Sequence, residues 1–206
     1  MRNNSTLKTT GILIVALALT WGTARAGVAT EQIKGTVDKA VSVLKDPRLK
    51  PAAQTNERRD QVRQILFARF DFTEMAKRAL GSNWRRRTPQ EQEEFVRLFT
   101  DILERAYADI IESYTDEKIV YLNERIEGPF ADVASKILTS KGAEYSIQYK
   151  AHLVSNEWKI YDVVAENISL VNNYRSQFHR VISNASYEEL LRRLRDKSEF
   201  AGASKR

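Results

Sequence analysis

Cysteine is absent from this chain of 206 residues, and histidine occurs only twice. Without cysteine there is no disulfide bond, no thiolate metal ligand and no site for attaching a lipid after an export signal. The sequence also has no internal repeat and no low-complexity tract. The folded chain must therefore rely on its own hydrophobic core for stability.

The common sequence motifs of enzyme active sites are missing as well. There is no Gly-x-Ser-x-Gly elbow, phosphate-binding glycine loop, dinucleotide fingerprint or His-x-x-x-His pair. We expect surface or structural roles for His152 and His179. A Ser-His-Asp triad stays open, because its members can be far apart in a sequence. We predict a protein that is not an enzyme and that binds no metal or cofactor.

Only one apolar run is long, and its 11 residues, Gly11–Trp21, are fewer than the roughly 20 that a membrane-spanning helix needs. Arg2 and Lys8 lie before it, with no acidic residue among them, and Ala24-Arg25-Ala26 follows as a small-x-small sequence. This pattern predicts an export signal at residues 1–26 that is cleaved after Ala26. An uncleaved amphipathic anchor is the alternative. We expect the mature protein to lie outside the cytoplasm.

The basic character of the chain is concentrated in that leader. The sequence has 33 basic and 27 acidic residues, and since Arg2, Lys8 and Arg25 belong to the leader, cleavage lowers the net charge from +6 to +3. So small an excess gives little reason to expect nucleic-acid binding. We interpret the basic clusters at 85–87 and 192–195 as solvated faces, with contact to anionic headgroups or an acidic partner as the alternative.

Hydrophobic periodicity divides residues 27–206 into helices, then strands, then helices, within a single domain. A tail at about 198–206 is expected to be flexible. The predicted helices are 30–44, 56–70, 72–80, 88–114, 169–182 and 186–195, and the predicted strands are 118–126, 130–139, 145–153 and 158–165. This order predicts an α+β fold with a curled antiparallel sheet of four, or five, strands.

The helix that follows Thr88 has a strong start signal and an unusually wide apolar face. Thr88 and Glu91 have the spacing of a capping box, and Pro89 suits the first helical position. Glu93 and Glu94 fall in the same first turns, where acidic residues favour the helix dipole. The wide aromatic face fits either a filled core or a hydrophobic cavity between the sheet and the helices.

Two segments of the sequence resemble a known family. One runs WKIYDVV at 158–164 and ENISLVNNYRSQF at 166–178. The other runs FDFTEMAKRALGSNWR at 70–85 and continues with TPQEQEEF at 88–95. Both are similar to segments of the MlaC family, also called toluene-tolerance or organic-solvent-resistance auxiliary proteins. The resemblance covers nearly the whole mature chain.

The resemblance implies a periplasmic phospholipid-binding carrier that holds acyl chains in a cavity between helices and sheet. It also implies two partners, an outer-membrane lipoprotein–porin complex and an inner-membrane ABC transporter with an MCE-domain subunit. The carrier would shuttle lipid between them and maintain the lipid asymmetry of the outer membrane. Such a cavity should be near the upper end of ordinary pocket volumes, at about 1,000 Å³. We expect a monomer.

Twelve residues are candidates for the lining of that cavity, and we expect only part of them to contact lipid. They come from the aromatic side of the long helix, the dry faces of the strands and the helical part of the 158–178 segment. The candidates are Phe95, Phe99, Leu103, Tyr107, Ile147, Tyr149, Ile160, Val164, Leu170, Val171, Tyr174 and Phe178.

A few polar residues are further candidates. Asp162 lies inside an apolar strand and is expected to pair with Arg175, unless Arg175 contacts the lipid phosphate. Candidates for contact at the cavity mouth or with a partner are Trp84, Arg85, Arg86 and Arg87. Two other functions stay open: a periplasmic adaptor with a packed core, and an enzyme of cone-shaped α+β fold that acts on a small molecule.

Overall fold

The computed structural model of the protein describes residues 28–196. The predicted signal at 1–26, its cleavage after Ala26 and the tail at 198–206 lie outside the described residues. The first four helices are α1 (Val28–Lys45), α2 (Thr55–Phe67), α3 (Phe72–Leu80) and α4 (Pro89–Glu112). Then come β1 (Lys118–Glu127), β2 (Phe130–Leu138), β3 (Glu144–Val154), β4 (Glu157–Ala165) and β5 (Ile168–Ser169), followed by α5 (Leu170–Asn184) and α6 (Tyr187–Arg195).

The five strands form one antiparallel sheet in the order β1-β2-β3-β4-β5. The fifth strand is only two residues long and pairs with the end of β4. Register irregularities between Tyr121 and Asn123 and between Lys150 and Ala151 introduce bulges, which bend strands. The predicted α+β fold is confirmed, and the fifth strand is present.

Side-chain caps determine where α4 and α5 begin. The Thr88 N–H donates to the Glu91 carboxylate at 2.7 Å, and the Glu91 N–H donates to the Thr88 hydroxyl at 3.3 Å, as the sequence predicts. The Ser169 hydroxyl accepts from the Asn172 N–H at 3.0 Å at the start of α5. This cap fixes the point at which β5 turns into α5.

An aromatic cluster forms the core between α4 and α5. The Phe99 and Tyr174 rings meet edge to face at 5.2 Å, and the Phe95 and Phe178 rings do so at 5.6 Å. All four side chains are fully buried. Side chains of α3 and α6 close the rest of this cluster, which we call the helical core.

A second cluster joins α1 to the sheet. Ile33 of α1 packs among Val133, Trp158 and Ile160, which are all buried. Phe70 contacts both this cluster and the helical core, and its backbone forms a bridge with Ile160. The segment between α2 and α3 therefore ties the helices to β4.

Candidate functional site

An apolar cleft lies between α2 and α4, and side chains leave a volume of ≈ 150 Å³ unfilled. Its inner end is formed by Phe70, Phe72, Met75 and Leu170. The side walls, contributed by α2 and α4, are Val62, Leu66, Phe67, Leu103, Tyr107 and Ile111. Such a surface has few hydrogen-bonding groups for a polar ligand and favours a hydrocarbon ligand.

Charged side chains surround the opening of this cleft. Arg63 Nε lies 2.8 Å from Glu104 Oε1, so one ion pair links α2 to α4 across the cleft. The Arg63 guanidinium also lies 4.8 Å from the centre of the Phe67 ring. Arg58 and Arg59 line the same cleft. An apolar interior with arginines at its rim matches the two ends of an amphipathic, anionic ligand.

Two neighbouring tyrosines, Tyr107 at the cleft and Tyr174 in the helical core, have poorly hydrated hydroxyl groups. Burial raises the pKa of the Tyr107 hydroxyl above its ordinary value of 10. Burial also raises the pKa of Tyr174, with a further contribution from Tyr107. Among the described residues, no group forms a hydrogen bond with the Tyr174 hydroxyl. Both side chains therefore remain neutral across the physiological pH range.

The structure brings only three of the twelve predicted lining residues to the cleft: Leu103, Tyr107 and Leu170. Five others are buried in the helical core, because α5 and α6 cover that side of α4: Phe95, Phe99, Val171, Tyr174 and Phe178. The four strand residues line no part of the cleft. Ile160 is buried beneath α1, Tyr149 packs beside it, and Ile147 and Val164 are half-buried on β3 and β4.

Sequence reasoning missed the contribution of α2 to the cleft. Val62 and Leu66 lie in the helix predicted over 56–70, but they were not among the predicted lining residues. The available signal was the basic composition around the apolar stripe that contains them. Arg58, Arg59 and Arg63 interrupt it at positions where a fully packed helix would favour apolar side chains.

The space between the sheet and the helices also differs from the predicted hydrophobic cavity. It contains a polar basin of ≈ 380 Å³ bounded by β3, β4, α3, the 3-10 turn at Gly81–Arg86 and the start of α5. The side chains at its wall include Lys77, Arg78, Trp84, Arg85, Lys150, Tyr161, Asp162 and Arg175. We call this feature the basic basin. The apolar cleft, by contrast, has helical walls, and the hydrophobic cavity between the sheet and the helices stays a prediction.

The predicted structural pair of Asp162 and Arg175 is not formed, although both residues line the basic basin. One Asp162 carboxylate oxygen accepts from the Ser169 hydroxyl at 2.6 Å, and the other accepts from the Val171 N–H at 3.0 Å. These neutral donors satisfy the buried carboxylate and hold the start of α5 against β4. Asp162 therefore has a structural role, and no residue in the described range 28–196 forms an ion pair with it.

The predicted partner-contact residues have different environments. Trp84 is half-buried and lines the basic basin together with Arg85, whereas Arg86 is exposed outside it. Arg87 is engaged within the fold: it pairs with Glu91 at 3.5 Å and lies 4.4 Å from the Tyr187 ring centre. Arg87 thus joins the start of α4 to α6, and its contact with a partner stays a prediction.

The histidines have the positions expected of structural and surface residues. His152 Nε2 lies 3.0 Å from Asp71 Oδ2, and Asp71 also caps α3 by accepting from the Glu74 N–H. His179 is exposed on α5. Within residues 28–196, no group of three His, Asp or Glu side chains is arranged to bind a metal ion. No helix in this described part is long and apolar enough to cross a membrane.

Comparison with known proteins gives the chain a family. The family model described as MlaC protein matches residues 34–196. The chain belongs to the MlaC family. This MlaC-family chain is 24% identical over 170 residues to toluene tolerance protein ttg2D of Pseudomonas putida, covering 82% of this chain and 79% of that protein.

Another relative is the intermembrane phospholipid transport system binding protein MlaC of Haemophilus influenzae. It is 22% identical over 162 residues, and the match covers 76% of each chain. A solved structure of the phospholipid-binding protein from Ralstonia solanacearum, in complex with a phospholipid, has a TM-score of 0.74 and 25% identity. That match covers 85% of this MlaC-family chain and 98% of the other, so the two share one fold over nearly their full lengths.

Proposed function

We propose that this protein is a periplasmic phospholipid-binding carrier and not an enzyme. The observation that carries the proposal is the apolar cleft between α2 and α4, within a chain of the MlaC family. The phospholipid complex of the Ralstonia solanacearum protein supports it, because that protein has the same fold. The acyl chains would lie among Leu66, Phe67 and Tyr107, with the phosphate toward the arginines at the rim.

The energetics of transfer explain why such a cleft suits a carrier. Two acyl chains with roughly 30 methylenes gain about 24 kcal/mol on leaving water, at about 0.8 kcal/mol for each methylene. Nearly the same free energy is lost when the lipid leaves a bilayer. An apolar cleft compensates for that loss without trapping the lipid. The direction of transfer would then be set by the partners that deliver and accept the lipid.

The cleft must open to hold a whole phospholipid, since its ≈ 150 Å³ is well below the expected volume. Helix α2 is the element that can move, because Val62 is its only buried residue. A helix with little buried apolar surface is displaced at a low cost in free energy. Movement of α2 away from α4 would separate Arg63 from Glu104 and widen the cleft.

The wider cellular role is part of the same proposal. The basic leader and apolar run of the sequence would export the chain to the periplasm, with cleavage after Ala26. There it would shuttle phospholipid between an outer-membrane lipoprotein–porin complex and an inner-membrane ABC transporter with an MCE-domain subunit, and so maintain outer-membrane asymmetry. The name of the Haemophilus influenzae relative, which includes intermembrane phospholipid transport, supports this role.

Filling the cleft tests the proposal. Ala108 lines the cleft on α4 and is half-buried. In Ala108→Trp the indole should occupy the space of an acyl chain, and we expect bound phospholipid per chain to fall by about tenfold, as for a loss of roughly 1.4 kcal/mol in binding. Native mass spectrometry of the exported protein measures bound lipid, and extraction identifies it.

The matched control is Ala143→Trp, at an exposed position in the turn between β2 and β3. It adds the same side chain and should leave lipid content unchanged. A parent protein that never retains phospholipid would contradict the proposal and favour the adaptor. Equal lipid content in both variants would exclude this cleft as the binding site.

A further inference from the structure

The basic basin is lined by five basic side chains and one acidic side chain. The basic residues are Lys77 and Arg78 of α3, Arg85 of the following 3-10 turn, Lys150 of β3 and Arg175 of α5. They come from four separate segments of the chain, so no single run of sequence reveals the cluster. Like charges gathered around one concavity repel each other unless a counter-charge is bound.

Three of these five cations have an acidic partner in the protein, but only two carboxylates serve them. Lys77 and Arg78 share one carboxylate, that of Glu74, at 3.1 Å and 2.8 Å. Lys150 lies at 4.0 Å from Asp132, the outer limit of an ion pair. Arg85 and Arg175 make no ion pair within the described part of the chain.

The acidic residue of the basin, Asp162, supplies one negative charge against five basic side chains. The two oxygens of Asp162 are occupied by the Ser169 hydroxyl and the Val171 N–H. The Asn172 N–H is also taken, because it donates to Ser169. The N–H groups of Val171 and Asn172 are therefore in use, and an incoming anion would be bound by side chains.

Gly81 holds the Arg175 guanidinium in the basin. A Cβ at residue 81 would lie 3.1 Å from Arg175 Nε and 3.3 Å from Arg175 Nη2. The guanidinium thus packs directly against the backbone of Gly81. The φ angle of +60° at this position also favours glycine. The absent side chain at Gly81 lets the guanidinium of Arg175, a solvent-exposed residue, lie along the basin wall.

We propose that the basic basin is an anion site for a phosphate ester. The guanidinium of Arg175 offers parallel N–H donors that suit two phosphate oxygens, and Arg85 and Lys77 add charge. The Trp84 ring provides a wall for the organic part of the ester. A basin of ≈ 380 Å³ fits a group of headgroup size. An acidic protein segment would require a longer groove than this half-open basin provides.

This site is separate from the lipid cleft. Met75 and Leu170 line the cleft, whereas the neighbouring Arg78 and Val171 line the basin. No described residue lines both. The α3 helix and the first turn of α5 therefore form a common wall. The proposed anion site does not depend on lipid occupying the cleft.

Trp84 provides a direct readout of the basin. We propose a titration of the ¹⁵N-labelled mature chain with glycerol 3-phosphate, at an ionic strength held constant with sodium chloride. The indole N–H resonance of Trp84 should shift and saturate, while that of Trp158, buried beneath α1, stays in place. Arg175→Gln should weaken binding by about tenfold, because it removes a charge-assisted contact.

The matched control is Arg180→Gln, which removes another exposed arginine of the same helix. It should change the dissociation constant by less than about twofold. Gly81→Ala should weaken binding less than Arg175→Gln does, because the new Cβ only shifts the guanidinium away from the backbone of residue 81. A shift of Trp84 that fails to saturate, or that is the same in all variants, would show ionic screening only and exclude a small soluble ester; combined with failure of the vesicle assay below, it would overturn the proposal.

Two further measurements identify the source of the phosphate and distinguish anion binding in the basic basin from lipid binding in the cleft. Binding of glycerol 3-phosphate indicates a small soluble ester. Arg175-dependent sedimentation with phosphatidylglycerol vesicles, without glycerol 3-phosphate binding, indicates a headgroup at a membrane surface, and failure of both probes excludes the site. Native mass spectrometry should show equal bound lipid in Arg175→Gln and its parent. Joint loss of lipid and anion binding would contradict a separate site.

Discussion

Helix α4 has two apolar flanks that the fold treats differently. On one flank, Phe95 and Phe99 are enclosed by rings from α5, and no space is left. On the other flank, Tyr107 and Leu103 face α2 across a cleft of ≈ 150 Å³. The two flanks have the same chemical character. The difference is made by the helices that cover them.

The covering helices explain why one flank is filled and the other is open. Helix α5 contributes Tyr174 and Phe178, two large rings that are fully buried. Helix α2 buries Val62 alone, and arginines occupy its positions at the rim of the cleft. An apolar stripe thus shows that a surface avoids water, but not whether protein or ligand will cover it.

The largest expected effect is on the free energy of unfolding, and it compares a phenylalanine of the helical core with a phenylalanine of the cleft wall. Phe99→Ala should lower the free energy of unfolding by about 3–5 kcal/mol, because it opens a cavity in a close-packed core. Phe67→Ala, in the half-buried wall of the cleft, should cost only about 1–2 kcal/mol, since less apolar surface is removed from contact. Urea unfolding measures both values.

Lipid content should follow the opposite order for this pair. Phe67→Ala should alter the bound lipid measured by native mass spectrometry more than Phe99→Ala does, under conditions where both remain folded. Equal destabilisation by the two substitutions would mean that the cleft is as tightly packed as the core. That result would remove the distinction between the two flanks of α4.

A smaller effect is expected from the ion pair that spans the cleft. Glu104→Gln should change the free energy of unfolding by less than about 1 kcal/mol, because both partners are partly exposed. It should nevertheless speed the exchange of lipid with vesicles, since α2 loses a link to α4. Transfer of a fluorescent phospholipid measures this rate.

The control for the ion pair is Asp101→Asn on the same helix. Asp101 pairs with Arg97 of α4 itself, at 3.9 Å, so its loss leaves the α2–α4 contact intact. Exchange should then match that of the parent. Faster exchange in Asp101→Asn, or unchanged exchange in Glu104→Gln, would argue against an opening between α2 and α4.

The smallest expected effect is on the pH dependence of the free energy of unfolding, and it involves α6, which packs against the helical core. Hydrogen bonds from Arg192 and Arg193 lower the pKa of Glu189 on α6 from 4.5 to about 2. A carboxyl group with a lower pKa in the folded state stabilises the protein above its unfolded pKa. This contribution is present above pH 4.5 and is lost as the pH falls toward 2.

Glu189→Gln should therefore flatten the decline in stability across that pH interval, as measured by urea unfolding at several pH values. The effect should be small, because the carboxylate is exposed to solvent and screened by salt. An unchanged pH dependence in the variant would show that the arginine contacts of Glu189 contribute nothing to α6.

Several features of the fold could be predicted because they depend on residues close together in sequence. The cap at Thr88 needs only a hydroxyl and a carboxylate three residues apart. Alternation in β3 and short turns between the strands favour an antiparallel sheet, and the sheet is antiparallel. The family resemblance could also be recognised, since it follows from the two segments at 70–95 and 158–178.

The functional residues were harder to predict because they depend on contacts between distant segments. A buried carboxylate such as that of Asp162 is expected to have a hydrogen-bonding or ion-pair partner. Neutral donors at the start of α5 form those hydrogen bonds, and Arg175 lines the basin without pairing with Asp162. Likewise, nothing local distinguishes Phe99, which is enclosed, from Tyr107, which borders the cleft.

The sequence by itself determined the order of helices and strands, the α+β class and membership of the MlaC family. Tertiary structure alone decided that the hydrophobic opening lies between two helices and that the space beside the sheet is basic. The physical reason is that a side chain sets its own polarity, while the elements packed against it decide whether it meets protein or open space.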